Sequence, residues 1–282
     1  MLPAMGGGLA WYDLVDDGAP TPLFRPCRDF AEADPFDLSN IVLVPWSNRI
    51  SGGGFAFGGA FHALAANVAG EEFPLHGNGF TSEWQAAETS RRHVAMTLSS
   101  GGPGPFRYRA RAAYQLDAGA LTMSLAVTNA GHNALPFGLG LHPWIVRTPA
   151  TTLQAKAREA VLEDSRHLPE GVQPVGARAD WDFRAARRLP PGFINNAFIG
   201  WDGRASVVWA DRELALDIFA DPALSTAIIY SPGADAPFFC FEPVTHPVDA
   251  HNLPSGPHAN GLAILGPGET LGVACRFAPR RL

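Results

Sequence analysis

Residues 106–128 read FRYRARAAYQLDAGALTMSLAVT. Phe106, Tyr108, Ala110, Ala112, Tyr114 and Leu116 fall on one side of a period of two, and Arg107, Arg109, Arg111, Ala113 and Gln115 on the other. A strand produces this alternation because its successive side chains point to opposite faces. After Asp117-Ala118-Gly119, Leu121, Met123, Leu125 and Val127 alternate with Thr122, Ser124 and Thr128. The segment therefore predicts a hairpin, and with it antiparallel pairing.

The same period extends outward. It predicts a second hairpin over 206–219, with Val207 and Trp209 before Asp211-Arg212 and Leu214, Leu216 and Ile218 after it. Val94, Met96 and Leu98 predict a shorter strand, and 226–230, 237–241 and 270–277 also read as extended. No stretch keeps a helical period for three turns between caps. The expected fold class is all-β, a large, mostly antiparallel β-sandwich. Gly-rich 51–59 and Pro-rich 232–257 lie between strands and no repeat of fixed period occurs, so residues 1–282 are expected to form a single domain.

Composition narrows the partners. The formal charge of -6 leaves no basic footprint, so neither nucleic acid nor an anionic membrane is an expected partner. Residues 1–10 carry no Lys or Arg ahead of an apolar run, which predicts no signal peptide, no membrane span and a cytoplasmic location. Cys27, Cys240 and Cys275 are few, odd in number and far apart, arguing against a disulfide framework or a Cys-rich metal site. Nucleotide-binding, α/β-hydrolase and zincin motifs are absent, so no cofactor and no metal is expected.

Four segments interrupt the alternation with clustered polar, Gly and Pro residues: VPWSNRISGG (44–53), PLHGNGFTSEW (74–84), GLGLHPWI (138–145) and FFCFEPVTHPVDAHN (238–252). Such loops and strand ends are where functional side chains concentrate. His142 stands in an apolar run and must find a partner or a cleft; the plain alternative is a satisfied core histidine. Glu242 follows three aromatics and a cysteine, where an ionised carboxylate is costly unless it is paired or faces a polar pocket. His76 is followed by a glycine that permits close approach, although histidines in plain turns share that setting. Arg49, beside Asn48, offers a planar fork to sugar oxygens or to a carboxylate. His246, Asp249 and His251 are close enough in sequence to be weighed as metal ligands, against which stand Pro247 and the lack of a helix. Trp46, Trp84, Trp144 and Trp201 are candidates for stacking on a sugar, with core packing as the alternative for most.

Taken in order, SNRI, LHG, a strand-borne His, EPxTHxxDAxN and the late LGPGE resemble the aldose 1-epimerase (galactose mutarotase) family, from about Pro45 to Phe277. The resemblance implies a large antiparallel β-sandwich of the galactose mutarotase-like supersandwich type with an open sugar cleft. It also implies interconversion of the α and β anomers of an aldose, with Glu242 as general base, His142 as general acid, and His76 and Arg49 positioning the sugar. Asn48 and Trp46 beside Arg49 are grouped with these as substrate-binding candidates. Opening a pyranose removes a proton from the anomeric hydroxyl and delivers one to the ring oxygen, so acid and base are expected to face opposite parts of one sugar. An ordinary histidine, with a pKa of about 6.5, suits the acid.

One position departs from the family pattern. Where members commonly carry Asp in an Asp-x-x-Phe segment that binds a sugar hydroxyl, this chain has Asn195-Asn196-Ala197-Phe198. Asn195 keeps hydrogen-bonding capacity without the charge, which puts the usual galactose and glucose preference in doubt. The rival readings are a sugar-phosphate epimerase relative, which wants a basic rim, a non-catalytic sugar-binding module, and a structural oligomer. The sequence does not set the oligomeric state.

Overall fold

In the computed structural model, which describes every residue except Asp17 and Ala31, the 106–128 segment forms the expected hairpin. Strands Tyr108–Asp117 and Ala120–Asn129 pair from Tyr108 with Asn129 to Asp117 with Ala120. Their two-residue turn, Ala118 and Gly119, takes φ of 46° and 82°, the left-handed pair whose twist matches that of the flanking strands. The hairpin belongs to a nine-stranded sheet. The 206–219 hairpin lies in the same sheet, as Arg204–Trp209 paired with Leu214–Ala220. The helices among the described residues are five 3-10 turns, in keeping with the missing helical period.

The second sheet has seven strands, numbered here along the chain: β1 (Asn40–Leu43), β2 (Gly140–Val146), β3 (Glu159–Glu163), β4 (Pro169–Pro174), β5 (Ile194–Ile199), β6 (Thr226–Ser231) and β7 (Phe238–Val244). Their spatial order is β4-β3-β5-β6-β7-β2-β1, and every neighbouring pair is antiparallel. The main core fills the space between the two sheets. The seven-stranded sheet contributes Val42, Leu141, Ile145, Ile194, Phe198, Ala227, Ile229, Phe239 and Phe241, and the facing sheet contributes Met96, Tyr108, Met123, Val207, Leu216 and Phe277.

The alternate residues of the same seven strands point outward and build a second, smaller core from Ile41, Leu43, Trp144, Val161, Ala197, Ile228, Cys240 and Val244, with Leu38, Phe80 and Val248 packed over it. An outer face this apolar is covered by loops, and those loops carry the motifs singled out in the sequence. The three cysteines are buried free thiols. Among the described residues, no helix is long and apolar enough to cross a membrane.

Candidate active site

Strand register brings the two central residues together. Gly140 pairs with Val244 and Trp144 with Cys240, which sets His142 on β2 level with Glu242 on β7. Ile41 lies opposite His142 on one side and Ile228 opposite Glu242 on the other. His142 Nε2 stands 3.3 Å from Glu242 Oε1. The His142 ring stacks on Trp144, with centroids 4.0 Å apart and planes at 20°. The two groups stand side by side on neighbouring strands. The chemistry accommodates this, since the ring oxygen and the anomeric hydroxyl are bonded to the same carbon.

Both groups are nearly shut off from solvent, Glu242 at 2% and His142 at 7% exposure. Burial disfavours the charged form of each. It pushes His142 down to about 3, with Arg25 adding to the effect. Burial also raises Glu242 well above the usual carboxylate range; nearby Arg49 opposes this and Glu163 reinforces it. The expectation of a histidine titrating near neutrality therefore gives way to a neutral imidazole beside a reluctantly ionising carboxyl. Glu242 Oε2 and His142 Nδ1 are buried without a hydrogen-bond partner.

His76 completes the cluster, its ring 5.4 Å from that of His142 and nearly perpendicular to it. The loop that carries it is locked to the SNRI segment in both directions. Asn48 N donates to His76 Nδ1 at 2.9 Å, and His76 N donates to the Asn48 carbonyl at 3.0 Å. Because Nδ1 accepts, the proton of the neutral ring sits on Nε2, which is left as a donor. Burial first, then His142, Arg49 and His246, hold His76 well below its ordinary value, so the ring stays neutral. Asn48 and His76 both adopt left-handed backbone, each with φ of 58°. Gly77, at φ 69°, lies so close to the Val44 carbonyl that a Cβ would come within 2.2 Å of its oxygen. This close approach is what the glycine after His76 permits.

Arg49 is held by a partner the sequence did not suggest. Its Nε and Nη2 donate to Glu71 Oε2 and Oε1, each at 3.0 Å, a two-pronged clamp that fixes the guanidinium plane. Asn48 Oδ1 accepts from the Arg49 backbone N–H at 2.9 Å, so Asn48 contributes by holding its neighbours. Trp46 is placed elsewhere: at 1% exposure it lies in the main core against Phe106, with ring centroids 5.6 Å apart. The alternation along β1 and beyond sends Val44 and Trp46 inward, so Trp46 does not share the face of His142 and Glu242. Trp84 and Trp201 are core residues as well. Of the four tryptophans considered for stacking, only Trp144 lies beside the cluster.

The metal reading of His246, Asp249 and His251 also finds no support. His246 accepts from Ser47 N, His251 contacts the Pro136 carbonyl, and Asp249 accepts from Ser51, so each is already committed to a protein partner of its own. The ligand-type atoms that do converge, within 4.8 Å of one another, belong to His142, Cys240 and Glu242.

A second row runs across the same face two residues along. Trp144, Cys240, Tyr230 and Asn195 are successive cross-strand neighbours. The pairing of Glu159 with Ile199 sets Glu163 level with Asn195, and Asn195 Nδ2 donates to Glu163 Oε2 at 3.3 Å. His167 Nδ1 lies 3.2 Å from the same oxygen. Phe36, on the turn Pro35–Asp37, packs its ring against His76, Phe80 and Trp144 as a cover. Glu71, Glu163, His167 and Phe36 were all missed in the sequence.

The chain is similar to known proteins over nearly its whole length. The family model for Aldose 1-epimerase matches residues 4–278. The chain is 34% identical over 256 residues to YphB of Escherichia coli K12, covering 89% of this chain and 86% of that protein. The crystal structure of a candidate aldose 1-epimerase from Escherichia coli K12 superposes with a TM-score of 0.89 at 31% identity, over 99% of this chain and 94% of the other. A galactose 1-epimerase from Lactobacillus acidophilus shares the fold, with a TM-score of 0.76 at 17% identity over 99% and 90%.

Proposed function

The chain belongs to the aldose 1-epimerase family, and from that premise we propose that it interconverts the α and β anomers of an aldose by proton exchange with the His142–Glu242 pair. The observation that carries this reading is the 3.3 Å approach of His142 Nε2 to Glu242 Oε1 on a face that also holds His76.

Ring opening needs one proton removed from the anomeric hydroxyl and one delivered to the ring oxygen. The pair holds a single transferable proton, either as neutral imidazole with carboxylic acid or as imidazolium with carboxylate. Burial favours the first arrangement, and the field of Arg49 shifts Glu242 toward the second. In the second, Glu242 takes the hydroxyl proton while His142 protonates the ring oxygen. After rotation about the bond between the first two carbons, return of both protons closes the ring on the other aldehyde face. A reversible reaction between near-isoenergetic anomers needs a pair that gives and takes with equal ease, and two adjacent groups differing by one proton hop meet that need. The Nε2–H of His76 supplies a fixed donor to the sugar, and the steps are proton transfers throughout.

The test is anomer exchange followed by NMR across a panel of aldoses and sugar phosphates, with Glu242→Gln and His142→Asn as controls and folding checked for each. Acceleration by the wild type that both variants abolish supports the proposal. A folded wild type that accelerates no sugar overturns it for the sugars tested and leaves the sugar-binding module as the reading to pursue.

A further inference from the structure

We propose that Glu163 is a substrate-binding, specificity-determining residue, whose free carboxyl oxygen binds a sugar hydroxyl remote from the anomeric carbon while Asn195 and His167 hold the group in place. This deepens the epimerase reading and rests on it.

Four observations support the assignment. Glu163 lies on the face that carries His142 and Glu242, one row and three strands from Glu242. Its side chain is only 7% exposed, yet both hydrogen-bonding neighbours, Asn195 Nδ2 and His167 Nδ1, converge on Oε2. Among the described residues, Oε1 has no partner. Finally, Glu163 belongs electrostatically to the site: Arg49 acts on it as on Glu242, and Glu163 in turn acts on Glu242.

A structural role accounts for the contacts to Asn195 and His167, but not for the burial of a carboxyl with one oxygen left open. A carboxyl buried without an Arg or Lys partner loses hydration and gains little in return. Two residues earlier on the same strand and face, Val161 fills the equivalent place with an apolar side chain. Burial raises Glu163 to about 8, so near neutrality it exchanges readily between a group that donates one hydrogen bond and a group that only accepts. Either form matches a sugar hydroxyl, which can both donate and accept. The acid that Asn195 lacks is thus present one strand over, hydrogen-bonded to Asn195 itself, and a shift of that acid by one strand changes which hydroxyl it meets.

The experiment compares wild type, Glu163→Ala and Glu163→Gln on the preferred aldose and its singly deoxygenated analogues, measuring KM and kcat by anomer exchange and equilibrium binding by NMR titration. Glu163→Ala is expected to raise KM roughly ten- to hundredfold with kcat within a few fold, the range for a lost hydrogen bond to an ionisable group. Glu163→Gln, which keeps the shape, recovers part of that loss. In the wild type one deoxy analogue shows the same penalty, and Glu163→Ala no longer distinguishes it from the parent sugar. Wild-type KM in both variants, or undiminished discrimination among the analogues, overturns the proposal. If Glu163→Ala fails to fold, the Glu163→Gln profile decides alone, an unchanged preference counting against the contact. The binding titration separates the two readings: sugar that binds without exchange defeats the epimerase function, whereas exchange without dependence on residue 163 defeats only this inference.

Discussion

The two faces of the seven-stranded sheet are written by the same strands, one residue out of phase, and they obey opposite rules. On β7, Phe239 and Phe241 point into the main core, while Cys240 and Glu242 point outward. The inner face gains stability from apolar burial, at roughly 1.5–3 kcal/mol for each large side chain removed from water. The outer face buries a carboxyl, several imidazoles and a second carboxyl, each of which opposes folding when kept neutral against its solution preference. The difference teaches that this site is maintained at the expense of stability by the face behind it.

The largest expected effects separate the faces cleanly. Glu242→Gln or His142→Asn should slow anomer exchange by about 10²–10⁴-fold while leaving the melting temperature unchanged or higher, because the costly burial is relieved. Phe241→Ala, one residue away, should do the reverse, lowering stability by about 3–5 kcal/mol while the folded fraction keeps its kcat. Denaturant melts alongside exchange rates would break the comparison if Phe241→Ala proved benign or Glu242→Gln unfolded the chain.

A second expectation concerns pH. His142 and His251 are pushed to about 3 and His246 to about 4, and His76 is lowered well below 6.5, all chiefly by burial. Below pH 6.5 the unfolded chain takes up protons at these four sites that the folded chain refuses, so stability falls as pH falls. Glu163 at about 8 and Glu242, raised well above the usual carboxylate range, act in the opposite sense, since above 4.5 the unfolded chain releases protons that the folded chain keeps. The two sets act in opposite directions, so stability should pass through a maximum within this range and not change in one direction throughout. Thermal melts from pH 5 to 8 check this, and a monotonic profile would show that the outer face is better solvated than its burial implies.

The smallest effect expected is at Glu71. Glu71→Ala frees the guanidinium of Arg49 from its clamp, and KM should rise several fold with little loss of stability, since Glu71 is partly exposed. An unchanged KM would mean that Arg49 is oriented by Asn48 alone.

Much of the fold was legible because period-2 alternation survives in the sequence wherever one face is buried and the other is wet. The 106–128 hairpin is the clearest case, its arginines exposed and Tyr108, Tyr114, Leu121 and Leu125 buried, with Leu116 beside the turn left exposed. In β2 and β7 every residue but Phe238 is buried, so no polar phase marks which residues face the site. Residues 40–48 are buried throughout as well, so no polar phase in the sequence marked Trp46 as facing inward. The motif order marked His76, Arg49, His142 and Glu242, but gave no means of placing Glu71, which lies just ahead of the 74–84 segment, or Glu163, which lies far from any motif.

By itself, then, the sequence determined an antiparallel all-β chain, its two principal hairpins and the segments that carry the chemistry, because hydrophobic period and turn residues are local properties of the backbone. Only the tertiary structure decided that His142 and Glu242 touch, that Arg49 is committed to Glu71, that Trp46 faces inward, and that Glu163 stands beside Asn195. Those facts depend on register between strands distant along the chain, and on how far each group is desolvated once the loops close over it.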